Sequence, residues 1–115
     1  MTRRIPRRAL PHRGLVIVEP LHGAGAGGRA FGPPVTLGRA LIADGLALRG
    51  SQYEQEAEVS AVVYCERAEF GADLPFPDSK VTLWAGQAGE RWAMVKRSER
   101  YEHPQIADVV VLVLR

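Results

Sequence analysis

Apolar residues along the chain fall in short runs separated by glycine and proline, and this spacing predicts strands. The stretch Pro75–Leu114 sets the pattern. Val81–Trp84 reads as a short apolar strand led in by Pro77, Asp78 and Ser79. Ala85–Gly89 supplies a turn, with Gly86 and Gly89 free to take positive φ. Glu90–Glu99 leaves as a second strand, and Asp108–Leu114, almost wholly valine and leucine, is a third. Upstream, Leu15–Val18 is a short apolar strand stopped by Glu19-Pro20. Leu21–Pro34 follows as a glycine-rich loop without periodicity, in which Phe31 is the single apolar anchor. Val35–Asp44 alternates imperfectly and is read as a strand, with a helix over Gly38–Asp44 as the alternative. Gly45 turns the chain into a return strand, Leu46–Arg49. The polar, acidic Ser51–Glu58 begins as a loop and runs into Val59–Glu66, the clearest strand by its β-branched content. Gly71, Pro75 and Pro77 keep the segment from Arg67 to Ser79 irregular.

About seven short strands with this punctuation predict an all-β fold, a sandwich or a small antiparallel β-barrel with long loops. Val109–Leu114 and Leu15–Val18 add a constraint, because both are apolar on both faces. A strand with one wet face alternates, and an uncovered two-sided apolar strand invites aggregation. Either a loop folds over these strands within a closed barrel, or a neighbouring subunit covers them.

The 115 residues make one domain. The hydrophobic share of 46% is ordinary for a globular chain. The formal charge of +2 conceals an asymmetry. Residues 1–13 hold Arg3, Arg4, Arg7, Arg8 and Arg13 and no acid; the rest has ten basic residues against thirteen acids, about −3. The pI near 9.0 therefore reflects a basic arm on a mildly acidic body, unlike a uniformly basic nucleic-acid binder. Prolines and closely spaced like charges predict a flexible, extended arm over 1–13 and a barrel domain over 14–115. The arginines suit either the phosphates of DNA or the acidic face of a neighbouring copy. Pro6 and Pro11 break any transit-type amphipathic helix, no secretory h-region is present, and no apolar run approaches the roughly 20 residues of a membrane helix.

Candidate chemistry is sparse. Gly23, Gly25 and Gly28 satisfy a GxGxxG spacing, but Gly32-Pro33-Pro34 follows where the fingerprint needs a helix. The loop instead reads as a projecting element. His12, His22 and His103 are too scattered for a metal site. Glu54, Glu56 and Glu58 alternate, and on a strand they would share one solvated face. No GxSxG elbow surrounds any serine. Cys65 stands alone and reads as a small apolar strand residue. Trp84 and Trp92 flank the Ala85–Gly89 turn and are expected to pair across it. A base-stacking platform, with Arg91, Lys96, Arg97 and Arg100 nearby, is the alternative.

The order of segments resembles a known family. An apolar strand ends in Glu19-Pro20. The glycine-rich loop closes as Phe31-Gly32-Pro33-Pro34-Val35-Thr36. Ala57–Tyr64 reads AEVSAVVY. Leu74-Pro75 leads to Ser79-Lys80-Val81-Thr82-Leu83, the hairpin through Glu90–Lys96 follows, and His103-Pro104 precedes the valine-rich end. Over about residues 10–115 this resembles the head-closure proteins, or head-to-tail stoppers, of tailed bacteriophages, especially those of high-GC actinobacteria. Two departures are the long basic arm and Trp84-Ala85-Gly86 in place of a plain polar turn. The resemblance implies a small β-barrel that assembles as a homo-oligomeric ring in the virion neck, built in the host cytoplasm. The ring would sit between the portal and its adaptor above and the tail terminator and tail tube below. It would close the channel after packaging, with double-stranded DNA passing without sequence specificity. No enzyme, cofactor, metal or membrane is implied. On this reading Gly23, Gly25, Gly27, Gly28, Arg29 and Phe31 form the loop toward channel or neighbour. Arg3, Arg4, Arg7, Arg8 and Arg13 form an arm to DNA or to a neighbouring subunit, and Val109, Val111 and Val113 a ring interface. The alternatives are a tail terminator or other neck protein, and a small barrel module that binds nucleic acid through Trp84 and Trp92.

Overall fold

The structure, a computed structural model, describes residues 4–25, 28–71, 73–102 and 104–115, with backbone only at 23–25, 28, 29 and 46. It is all-β, with no α-helix among the described residues. The strands are β1 (Val16–Glu19), β2 (Leu21–Gly25), β3 (Gly28–Phe31), β4 (Val35–Thr36), β5 (Ala40–Asp44), β6 (Ala61–Glu66), β7 (Lys80–Leu83), β8 (Arg91–Tyr101) and β9 (Val109–Leu114). Seven of them form one antiparallel sheet in the order β4-β1-β7-β8-β9-β6-β5, curled into a half-barrel, and β2 and β3 form a separate two-stranded sheet. The expected small-barrel architecture therefore holds.

Two devices curl the sheet. β8 serves two partners: Arg91–Met94 pairs with β7, and the remainder from Val95 pairs with β9. A register shift between Val95 and Arg97 marks a bulge where the strand changes partners, and a bulge bends the strand that carries it. The second device is the segment Val35–Asp44. Its first part, β4, is one edge of the sheet, and its second part, β5, is the other. Between them the Leu37 N–H donates to the Val16 carbonyl at 2.9 Å, and His12 and Ala40 exchange backbone hydrogen bonds of 2.9 and 2.8 Å. One continuous stretch thus joins both edges of the sheet. The strand predicted over Val35–Asp44 is present but broken at 37–39, and the helical alternative is not adopted.

Alternation splits β9 between two cores, since successive side chains on a strand point to opposite faces. Val110, Leu112 and Leu114 join Val16, Val18, Val63, Val81, Leu83 and Val95 inside the barrel. Val111 and Val113 join Ala43, Tyr53 and Val62 in a second cluster on the outer face. Residues 45–59 cover that face. Gly45–Leu48 is a 3-10 turn, where a return strand over Leu46–Arg49 was expected. The Ser51 hydroxyl donates to the Leu48 carbonyl at 2.6 Å, and Tyr53 is buried. Of the two ways to cover this strand, the chain uses its own loop. β1 differs: Val16 and Val18 are buried, while Leu15 and Ile17 are only half-buried.

The cover is latched to β8. The Tyr53 hydroxyl donates to Glu99, and Lys96 Nζ meets Glu56 at 2.8 Å and the Ala57 carbonyl at 2.9 Å. Arg97 grips Glu56 with both arms of its guanidinium, one contact at 2.7 Å, and lies 5.9 Å from the Tyr53 ring centre. Glu54, Glu56 and Glu58 therefore do not share a strand face. They lie in turns, with Glu54 accepting from Gly50 N–H at 2.8 Å.

Residues 4–13 correct the expectation of a flexible arm. Ile5 and Leu10 are buried, and a turn is closed by Ala9 N–H to the Pro6 carbonyl at 3.0 Å. Two apolar side chains among the charges anchor the segment, so its described part belongs to the domain.

Tyr53→Ala removes the cover's largest buried side chain and its bond to Glu99. A loss of about 3–5 kcal/mol, read from the denaturant midpoint, should come with increased binding of a hydrophobic dye; an unchanged midpoint would contradict the covering role. Hydrogen bonds from Arg97 and then Lys96 hold the Glu56 carboxyl down at about 2. Its folded value is depressed, so the stabilisation is complete above the ordinary value of 4.5 and is lost as pH falls toward 2. Protection of residues 50–58 against hydrogen exchange, taken relative to the intrinsic rate at each pH, should therefore fall in that window ahead of the barrel strands.

Candidate interaction surfaces

The glycine-rich stretch is a β-hairpin where a structureless loop was expected. Leu21 pairs with Phe31, Gly23 with Ala30 and Gly25 with Gly28, with an irregularity at His22. Glycine carries no strand preference, so composition concealed a hairpin that backbone pairing makes. Gly23, Gly25, Gly28 and Arg29 all lie in its strands, whereas Gly27 falls outside the described residues. Phe31 is exposed at the end of β3.

The base of the hairpin is fastened at two points. The Gly32 N–H donates to the Pro20 carbonyl at 2.7 Å, which closes the hairpin on itself. The Leu21 N–H donates to the Ser79 hydroxyl at 2.8 Å, which ties it to the barrel. Ser79 is fully buried, and its carbonyl accepts from Val95 N–H at 2.9 Å. In the sequence Ser79 only leads into a strand; the structure adds this tether. Gly32 lies against the exposed His22 ring, and a Cβ there would stand 1.9 Å from His22 Nε2, so the imidazole would have to move. Beside the base is a cavity of about 250 Å³ lined by Val18, Leu21, Val35, Phe70, Leu74 and Phe76, among others. Phe76 on its rim is 59% exposed, so this end of the molecule presents apolar surface.

The arginines divide. Arg3 lies outside the described residues. Arg4 is exposed but tied to the buried Glu66, with Nε at 3.1 Å and Nη2 at 2.6 Å from Glu66 Oε1. Arg7, Arg8 and Arg13 are exposed. Arg39, which the sequence did not single out, donates to the same Glu66 oxygen at 3.0 Å, and the Ile5 N–H donates to Glu66 Oε2 at 3.0 Å. Glu66 is 2% exposed. Burial pushes its carboxyl up, but the bonds from Arg4, Ile5 and Arg39 outweigh burial and hold it below the ordinary carboxylate value. No local signal marked Glu66, because its partners lie 27 to 62 residues away in sequence.

The proposed ring-interface valines require correction. Val111 and Val113 are buried beneath Tyr53 and residues 45–59, and Val109 is half-buried. A face covered by its own chain is not available to a neighbour. The tryptophans do not pair either. Alternation would carry Trp84 outward with Thr82, but its φ of 56° breaks the alternation. The Trp84 indole donates to Asp44 at 3.0 Å and packs edge-on against His12, with centroids 4.8 Å apart. Trp92 lies opposite Thr82, 61% exposed, with Lys80 Nζ 5.5 Å from its ring centre. The two indoles therefore do not form one stacking platform.

His12 packs on Trp84, His22 lies by Gly32, and His103 falls outside the described residues. Among the described residues no three His, Cys, Asp or Glu side chains group as metal ligands. Cys65 is buried, and burial pushes its thiol up, away from the reactive thiolate. No family model, curated protein or solved structure matches the chain.

Glu66→Gln leaves Arg4 and Arg39 without their shared carboxylate. Stability should fall by about 1–3 kcal/mol, since Arg4 is exposed and only Arg39 is left as a largely buried charge without its carboxylate. Trypsin should then cleave after Arg7 and Arg8 before the barrel is cut. Unchanged protection of residues 4–13 would show that Ile5 and Leu10 hold the segment alone.

Proposed function

We propose that the chain is a structural subunit of a tailed-bacteriophage neck, a head-to-tail stopper. In this role it assembles as a homo-oligomeric ring beneath the portal and its adaptor. The ring closes the channel after packaging, retains the double-stranded DNA, and offers the tail terminator and tail tube a docking platform. No catalytic step or cofactor is needed.

One observation carries the reading. Three of the segments on which the family resemblance rests meet at the base of the β2–β3 hairpin. Glu19-Pro20 ends β1 and supplies the carbonyl that Gly32 bonds. Gly32–Thr36 returns the chain from the hairpin onto the sheet through β4. Ser79–Leu83 contains β7, and Ser79, just before the strand, supplies the hydroxyl that tethers Leu21. These residues, far apart in sequence, serve to mount a two-stranded element on a rigid barrel. A stopper has use for such an element, held outside the main sheet and free to reach a channel or a neighbour.

The charge distribution is compatible with this role. Near-neutrality outside the N-terminal segment suits a wall past which DNA must slide, since strong phosphate contacts would hinder passage. Because Val111 and Val113 are taken up by the subunit's own cover, ring contacts fall to other surfaces. The hairpin end with Phe31 and Phe76, and the outer sheet face with Trp92, are the exposed apolar candidates. The separation of Trp84 from Trp92 counts against the stacking module.

Deletion of the coding sequence from a phage that carries it tests the proposal. Expected are DNA-filled heads that leak and do not join, together with free tails of normal length. Normal heads with tails of uncontrolled length would overturn the stopper reading in favour of a tail terminator. Electron microscopy of the neck should place the chain directly beneath the portal adaptor.

A further inference from the structure

Three arginines of the N-terminal segment, Arg4, Arg7 and Arg13, join the distant Arg39 to line one open cleft of about 470 Å³, with Gly38 completing the wall. The fold brings them together by identifiable means. Burial of Ile5 and Leu10 fixes the stretch that carries Arg4 and Arg7. The bridge between His12 and Ala40 sets the neighbours of those two residues, Arg13 and Arg39, beside each other. The positive charge is thus held on a folded wall, at little further entropic cost on binding.

The charge is not balanced internally. Glu66 serves both Arg4 and Arg39, and Glu69 accepts from Gly38 N–H and acts on Arg4 through its charge. Four guanidinium groups thus face two carboxylates, a surplus of two positive charges. Arg39 Nε is also buried without a hydrogen-bond acceptor, so Glu66 leaves part of that guanidinium unmet.

We propose that this cleft is an oxyanion site whose ligand is a phosphate group, taken from a nucleic-acid backbone or as free phosphate. Guanidinium forks suit phosphate oxygens, bind them with charge-assisted hydrogen bonds and stay charged at any physiological pH. The competing occupant, an acidic segment of a second copy, is poorly supplied by this chain. In its one acidic run, Glu54 caps Gly50 and Glu56 is held by Lys96 and Arg97. Asp44, Asp78, Glu99 and Asp108 are engaged with Arg91, Arg115, Arg97 and Arg100. The inference does not rest on a place in the phage neck.

The full chain is titrated with inorganic phosphate, followed by NMR shifts of the arginine side chains, and with a random-sequence DNA duplex, followed by fluorescence anisotropy at several salt concentrations. An R7A/R13A variant removes two cleft arginines that are exposed and outside the Glu66 network. An R8A/R49A variant removes equal charge elsewhere and serves as control. Expected is a loss of roughly tenfold or more in affinity for R7A/R13A, with a duplex salt slope lower by about 2, and a change below about twofold for the control. Duplex binding that phosphate competes away identifies the backbone as the source. Phosphate binding without duplex binding identifies the free ion. Equal losses in both variants would reduce the effect to general charge and overturn the site. So would absence of binding to either probe, or self-association that R7A/R13A abolishes without any phosphate binding.

Discussion

The whole fold depends on the need to cover β9 from both sides. Five of its six residues are buried, and each fully buried valine or leucine contributes roughly 1.5–3 kcal/mol. Such a strand is stable only at the centre of a sheet with a layer on each face. On one side the curled sheet provides that layer itself. On the other the segment 45–59 does, with Tyr53 over Val111 and Val113. Because that segment is polar, it needs the latch of Glu56 on Lys96 and Arg97, and of Tyr53 on Glu99, to stay in place. The outer core of this small domain therefore depends on ion pairs at its rim.

Glu66 organises the opposite end of the same neighbourhood. It closes β6, the neighbour of β9, and gathers Arg4, Ile5 and Arg39 on one carboxylate. A buried carboxylate is costly unless its oxygens are satisfied, and here three donors satisfy them. The N-terminal segment becomes part of the barrel wall, and the remaining arginines are displayed from a fixed surface. Charge that would otherwise be spread over a mobile chain is thereby concentrated.

The hairpin shows how rigidity and reach are combined. Its backbone pairing is independent of the main sheet, yet Ser79 ties its base to the barrel and the Gly32–Pro20 bond closes it on itself. Loops positioned by a rigid scaffold are where proteins place contact functions. The apolar rim beside this base, with Phe76 exposed, makes it the surface best suited to a neighbour in an assembly.

The sequence by itself determined the fold class, most of the strand positions and the demand that β9 be covered twice. Those properties come from local preference and from period-two patterning, which neighbouring residues encode. It also exposed the residues on which the hairpin base is built, though not their contact. Tertiary structure alone decided what covers β9, that Arg4 and Arg39 meet Glu66, that Trp84 turns inward and that the glycine-rich stretch pairs with itself. Each of these is a choice among partners distant in the chain or, for glycine, among backbone shapes that no side chain biases. The free arm and the valine interface were misread for one reason: Ile5, Leu10 and Tyr53 are single apolar residues in polar surroundings. Their burial has no periodic signature, and only the packed chain shows which surface each one closes.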